Sequence, residues 1–482
     1  MTLDDVIIRI GEFGKYQKKT YVLLCLPVIF CAFHKLSTGF INYEPTTLKC
    51  LDETFIPREK ISPCKNISYG TDQITTVTEW NLVFDRKPMV ALSDSIFMGG
   101  VMVGSMIFGG LSDTIGRKLV FTISLIIQLV GGILVAISPN YWSFVLARAI
   151  VGTSISGIYL TAYVIATEMV GPSKRRIAGV CVQLFWTIGY VGVAGLAALF
   201  PDWRNLQYAI TLPSIFFLLY WWLIPESARW LITKGRDEEA KDILQSASIE
   251  NERELSRDTI QQLLDYNTEK VDKNENTGGT TIIHYLIKYP NIRNKTLFLC
   301  LIWIVASGTY YGLSWGASKL NGNPYVIHAI SGAIEAPVYL FLILTLDRWG
   351  RKKTLLGSMI LTGIALNSSA LLTNYGFTNG SIAMYMIGKM AITSAYGVAY
   401  LFTTEQYPTT VRNMGLGACS TAARIGPILA THIHNLESLV VWLPFVTLGA
   451  AAFTSGALVM LLPETLNKKL PETMKDGENF TE

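Results

Sequence analysis

Asp113-Thr114-Ile115-Gly116-Arg117-Lys118 returns as Asp347-Arg348-Trp349-Gly350-Arg351-Lys352, 234 residues further on. Each copy closes one apolar run and opens the next. Two other pairs keep nearly the same offset. Tyr163, Thr167 and Glu168 recur as Tyr400, Thr404 and Glu405, 237 residues on, and Pro225-Glu226 recurs as Pro463-Glu464, 238 residues on. Such matches describe one half-chain used twice. Repeated halves built from apolar runs are the ground plan of membrane transporters.

Composition agrees with a membrane protein. Of 482 residues, 50% are hydrophobic and only 16% charged, with mean hydropathy +0.35; soluble domains carry roughly 25% charged residues. The apolar residues gather in runs of about 20, the length that crosses a ~30 Å hydrocarbon layer. Twelve runs qualify: 21–41, 92–111, 119–137, 142–165, 177–200, 208–224, 296–315, Val326–Leu346, 354–372, 382–402, Val411–His432 and 440–462. The expected fold is an all-α polytopic membrane protein with twelve transmembrane helices in two pseudo-symmetric six-helix bundles. Residues 1–224 form the first bundle, with an outer loop over 44–91. Residues 225–294 form a cytoplasmic linker, 295–466 the second bundle and 467–482 a tail. The first run is too long for a cleaved signal and lacks a small-residue cleavage site, so it reads as an anchor.

Basic residues in the short loops orient the chain. Lys15, Lys18 and Lys19 precede the first run, Arg117 and Lys118 follow the second, Lys174 to Arg176 the fourth, and Arg351 to Lys353 the eighth. Both termini and the linker are therefore expected in the cytoplasm. The outer loop holds Cys50 and Cys64, a disulfide or two free thiols, and the sequon at Asn66, a plausible glycosylation site. A disulfide-competent loop favours the plasma membrane.

The net charge of +4 points to no nucleic-acid partner. Neither a P-loop, zinc spacing, nucleophile elbow nor catalytic carboxylate pair is present. The chain is thus expected to be no enzyme and to need no cofactor or metal, with a monomer as the functional unit.

At the repeated loops, Asp113 and Asp347 place carboxylates beside Arg117 and Arg351, one turn along. Such pairs act as a latch that holds helix bundles together when the inner side is shut. Arg and Lys alone would serve orientation, but the two Asp residues add nothing to that signal. Glu168 with Arg175, and Glu405 with Arg412, supply matching charges on the same face, enough for a ring of salt bridges.

The paired Asp-x-x-Gly-Arg-Lys loops resemble those of the major facilitator superfamily. Pro225-Glu-Ser-Ala-Arg-Trp-Leu231 resembles a signature of sugar porters and organic-ion carriers. Asn81 after Glu79-Trp80, Tyr407-Pro-Thr-Thr-Val-Arg-Asn-Met-Gly415 and Leu470-Pro-Glu-Thr-Met-Lys-Asp476 are similar to the solute-carrier family of organic cation, organic anion and carnitine transporters. The likeness runs through nearly the whole chain. The outer loop departs from it, being shorter and poorer in cysteine than in many relatives.

Charges buried in a bilayer cost at least ~2.5 kcal/mol each and are functional candidates by default. Glu335 and Arg424 fall near mid-depth, as do His34 and Lys35, while Arg148 and Lys389 lie nearer the outer side. Counting helix rise puts Glu335 and Arg424 about 15–20 Å from the repeated loops. Setting His34 aside, four cations face one anion, which favours a carboxylate or sulfonate cargo unless Arg424 is neutralised by Glu335. The resemblance implies that Arg at the Arg424 position belongs to anion and carnitine carriers and that an acid at Glu335 belongs to cation and carnitine carriers. Tyr311 and Trp186, with Tyr310, Trp315 and Tyr190, are candidate cavity rings; ordinary core is their bland alternative. The substrate-binding candidates are thus Arg424, Glu335, Tyr311, Trp186 and Lys35, and Arg148 is equally a packing strut. The expected cargo is a small organic ion, a cation or a carnitine-like zwitterion. An organic anion is the runner-up, and a non-transporting sensor is the rival from another class.

Overall fold

The computed structural model describes residues 3–44, 47–50, 56–57, 67–70, 73–253, 255, 288–320, 322–408, 411–438, 440–466, 468, 471 and 474–480. It opens with α1 (Leu3–Arg9), α2 (Lys15–Leu36) and α3 (Thr38–Ile41). A small antiparallel sheet follows, in which β1 (Thr47–Cys50) pairs with β2 (Ile56–Pro57) and β3 (Ile67–Tyr69), Leu48 lying opposite Ile56 and Tyr69. Helices then succeed one another: α4 (Thr76–Glu79), α5 (Pro88–Ile115), α6 (Arg117–Ala136), α7 (Tyr141–Glu168), α8 (Arg175–Leu199), α9 (Trp203–Thr211), α10 (Tyr220–Leu223), α11 (Ala228–Thr233) and α12 (Asp237–Glu250). After the linker come α13 (Pro290–Gly316), α14 (Pro324–Ala333), α15 (Glu335–Trp349), α16 (Arg351–Asn374), α17 (Thr378–Gln406), α18 (Arg412–Ala423), α19 (Ile425–Asn435), α20 (Leu443–Met460) and α21 (Met474–Asn479). Cys64 and Asn66 fall outside the described residues, as does the side chain of Cys50.

Local chemistry sets several boundaries. The Asn140 side chain accepts from the Ser143 N–H at 3.0 Å and starts α7, and Asn323 accepts from Tyr325 and Val326 to start α14. Eleven helical segments among the described residues are long and apolar enough to cross a membrane. The expected span over Val411–His432 is not among them, because it is divided into α18 and α19 at Arg424. Pro427 explains the break: it lacks an N–H and its ring crowds the carbonyl four residues back, Ala423, where α18 ends. The span over Val326–Leu346 is divided the same way. Pro337 disfavours helix at Ala333, where α14 ends, and Glu335 becomes the first residue of α15. Two of the deep charges identified from the sequence, Arg424 and Glu335, therefore sit at proline breaks, where backbone polar groups are freed inside the protein.

Packing repeats along the chain. α6 lies against α7 and α9, and α16 lies in the same order against α17 and α20. Contacts between the two sets run α5 to α19 and α8 to α14. A continuous buried core joins them, while a second cluster packs α1 on α11 and α12 through Val6, Ile7, Trp230 and Leu244. The outward faces are apolar: Leu146 is 64% exposed, Phe216 69% and Leu344 62%, whereas Lys389 and Glu335 are fully buried. A soluble protein reverses that distribution. The chain is a multi-pass membrane protein.

Candidate functional site

At the loop Gly116-Arg117-Lys118, the Arg117 guanidinium lies 2.9 Å from Asp113 Oδ1 and 3.6 Å from Glu168 Oε1. Glu226 accepts the backbone N–H groups of Arg117, at 3.1 Å, and Lys118, at 3.1 and 3.2 Å. It thereby satisfies the first turn of α6, where helix N–H groups have no partner within the helix and the dipole favours an anion. The Ser227 hydroxyl donates to Glu168 and the Trp230 indole to the Asp113 carbonyl.

The second loop repeats the glutamate contacts of the first. Arg351 Nε lies 3.2 Å from Glu405 Oε2, and Thr465 donates to Glu405 as Ser227 does to Glu168. Glu464 accepts the N–H groups of Arg351 at 3.0 Å and Lys352 at 3.1 Å. Gly116 and Gly350 have φ of +111° and +88°, and a Cβ on either would stand 2.5 Å from the capping carboxylate. Only glycine meets both demands. Burial opposes ionisation of Glu464, but the backbone N–H groups of Thr465, Leu466, Lys352 and Arg351 outweigh it and hold the carboxyl below its ordinary range. The side chain of Asp347 lies outside the described residues.

Two expected partners are elsewhere. Arg175 does not meet Glu168; it lies 2.5 Å from Asp4 Oδ1, which also takes Arg229 at 2.6 Å. Burial opposes ionisation of Asp4, and the two guanidinium groups overcome this and hold its carboxyl below the usual range. Arg412 forms no ion pair with Glu405 among the described residues, and its buried Nε has no hydrogen-bond partner. No described ion pair at this end links helices before α11 to helices after α12. Each latch ties together one half only, so a ring across both halves is not what the described charges form.

The central cluster is built differently. Lys389 on α17 lies 3.0 Å from Glu335 Oε1, and both side chains are fully buried. The ammonium also donates to Ser314 Oγ at 2.7 Å and stands 3.5 Å from the centre of the Tyr310 ring. Among the described residues neither Glu335 oxygen makes a hydrogen bond of good angle, so the contact is an ion pair with unused acceptor capacity. Arg148 lies 3.1 Å from Asp94 Oδ1, donates to Thr38 and stacks on Phe97. It is bound as a strut joining α7, α5 and α3.

Asp94 changes the charge count. It lies inside the run over 92–111, so four cations face two anions rather than one. Arg148 and Lys389 are neutralised, and Arg424 is not paired with Glu335. Lys35 and Arg424 remain, buried and without a carboxylate partner among the described residues. Lys35 stands 4.0 Å over Tyr311 and 5.9 Å from Trp186, whose indole donates to the Tyr310 hydroxyl at 3.2 Å. The phenols of Tyr396, Tyr400, Tyr311 and Tyr159 act electrostatically on Arg424, which in turn acts on Lys35. The residues brought together are therefore Lys35, Trp186, Tyr311, Glu335 and Arg424, from helices of both sets.

Sequence reasoning missed Tyr396 and Tyr400, although with Lys389 and Thr393 they keep one face of α17 at helical spacing. It also missed the roles of Glu226 and Glu464, whose signal was the repeat itself.

The opposite end is shut by bonds between the two sets. Ser95 bonds Thr431 at 2.9 Å and His432 at 3.2 Å, Ser318 donates to the Gly39 carbonyl at 3.0 Å, and Phe40 stacks on Tyr325 at 5.5 Å.

Residues 24–476 match the family model for sugar (and other) transporters. The chain is 45% identical to an organic cation transporter protein of Drosophila melanogaster, covering 100% of this chain and 95% of that one. It is 32% identical to solute carrier family 22 member 15-like of Xenopus laevis, covering 99% and 96%. Its fold is similar to that of the xylose transporter from E. coli in an inward open conformation, with TM-score 0.69, 14% identity and coverage of 97% and 100%.

Proposed function

This chain belongs to the sugar (and other) transporter family, among the organic cation transporter and solute carrier family 22 proteins, and from that premise we propose that it carries small organic ions across a membrane by alternating access. The family is one of transporters, not enzymes. The preferred cargo is an organic cation or carnitine-like zwitterion. The observation that carries this is the pairing of opposite demands at one depth. Glu335 keeps acceptor capacity beside the Tyr310 and Tyr190 rings, and Lys35 and Arg424 are left without anions. A carboxylate would neutralise the two cations. An alkylammonium head would meet Glu335 and the aromatic faces, worth about 2 kcal/mol or more when desolvated.

The basic loops support placing the latch end, both termini and the linker in the cytoplasm. The bonded end would then face outward, and this conformation would be closed to the outside. Residues 1–224 and 295–466 are proposed to rock as two bundles about the cluster, within a monomer at the plasma membrane. An outer disulfide of Cys50 with Cys64 and a glycan on Asn66 belong to the same reading.

A second reading, an organic-anion carrier, is favoured by the unpaired Lys35 and Arg424. Purified protein in proteoliposomes, offered tetraethylammonium, a carnitine-like betaine and benzenesulfonate, separates them. Saturable uptake of the first two supports the proposal, and uptake of the sulfonate alone supports the second. Uptake of none sinks both and favours a sensor on this fold.

A further inference from the structure

His328 on α14 is fully buried, and neither of its ring nitrogens has a hydrogen-bond partner among the described residues. It sits in a slot formed by the other set of helices. The Phe40 ring of α3 and the Tyr190 ring of α8 each lie 4.7 Å from the imidazole, both inclined at 60°. Phe40 in turn stacks on Tyr325, and the Tyr190 hydroxyl bonds Ser331 at 3.0 Å, one turn from His328. The slot therefore exists only while the two sets meet at this end. An imidazole with two orphan nitrogens is a poor guest there: a polar group is desolvated and no described side chain or backbone group bonds to it.

The charges around it make the protonated form a worse guest. From α17, Lys389 stands 5.2 Å from the centre of the same Tyr190 ring and is the charged group acting on His328. Glu335, the first residue of α15 and seven residues on, is held by Lys389. The phenol of Tyr190 comes from α8. α3 presents only Phe40, and Ala317 and Ser318 of the neighbouring turn are uncharged. An imidazolium would thus add a second cation beside Lys389 and compete with it for Glu335. When this end opens, Phe40 and Tyr190 withdraw and water reaches the ring.

We propose that His328 is an inhibitory proton-binding site of the transport cycle: protonated while this end is open, it resists re-entering the Phe40–Tyr190 slot and stalls closure. The inference rests on the transport reading above. An imidazole in water titrates near ~6.5, so the effect falls in a physiological range.

The test is uptake of the best-carried probe of constant charge, tetraethylammonium or the betaine, into proteoliposomes of one orientation. The pH on the His328 side is varied from about 8 to about 5.5 while the other side is held fixed. Wild-type uptake should fall about tenfold on acidification, with a midpoint in the imidazole range. His328→Gln and His328→Phe should keep uptake at pH 8 within about twofold and lose the acid response. His432→Gln should retain it; His432 bonds Ser95 at the same end and is the rival source. A flat wild-type profile overturns the proposal. So does an acid response that survives in His328→Gln or disappears in His432→Gln alone. A folded His328→Gln that is inactive at pH 8 also overturns it, because a neutral side chain is what the slot should accept. Absence of wild-type uptake at pH 8 would instead sink the transport reading.

Discussion

The latch end and the centre use the same side chains in opposite ways. At the latches, Glu168 and Glu405 each meet an arginine and accept from a hydroxyl, and Glu226 and Glu464 accept backbone N–H groups of the following helix. At the centre Glu335 meets Lys389 alone, and Lys35 and Arg424 meet no carboxylate among the described residues. The first pattern appears twice in the chain; the second does not repeat. A satisfied, duplicated network holds structure together in each half. On the proposed reading, an unsatisfied, unrepeated one is completed by the cargo.

The comparison breaks most sharply at the buried pair. Removing one partner of a buried ion pair costs about 3–5 kcal/mol because the other charge is stranded. Glu335→Gln should therefore abolish uptake of cations and zwitterions and lower the thermal midpoint of the purified protein. Glu335→Gln with Lys389→Gln should recover much of the stability and none of the uptake. If uptake returned with stability, Glu335 would be a strut and the centre would resemble a latch.

The latches should respond more mildly and alike. Glu464→Gln and Glu226→Gln each weaken the cap of the following helix, a loss of about 1–2 kcal/mol. Maximal transport rate should fall severalfold with little change in half-saturating concentration. A large change in half-saturation, or an effect in only one half, would end the equivalence of the two loops.

The smallest effect is in acid. Glu464 is held below its ordinary range in the folded protein, so its stabilisation is complete above the unfolded value, near ~4.5, and is lost as pH falls toward the lower folded value. Thermal stability should decline below about pH 4.5. Glu464→Gln should decline less over the same interval. An equal decline would mean the carboxylate cap contributes nothing.

Much of this was legible from spacing. The offsets of 234 to 238 expose the duplicated loops, and apolar length exposes most of the spans. The apolar runs did not show where proline divides a span, as at Pro427, because an apolar run does not say that its helix is broken. Long-range pairing was illegible for another reason. Arg175 prefers Asp4, and Arg148 prefers Asp94, through contacts between helices far apart in sequence. Asp94 was the avoidable omission, an acid plainly inside an apolar run. Orphaned atoms such as the His328 nitrogens leave no sequence pattern, since they are defined by what surrounds them.

The claim that the centre is completed by cargo is tested most directly at Arg424. A quaternary ammonium acid and its methyl ester, which differ by one negative charge and a methyl group, should be compared for inhibition of uptake. In the wild type the acid should inhibit about tenfold or more better than the ester, about 1.4 kcal/mol. In Arg424→Ala the two should become equal, with the ester's potency unchanged. An acid preference that survives in Arg424→Ala would contradict the account.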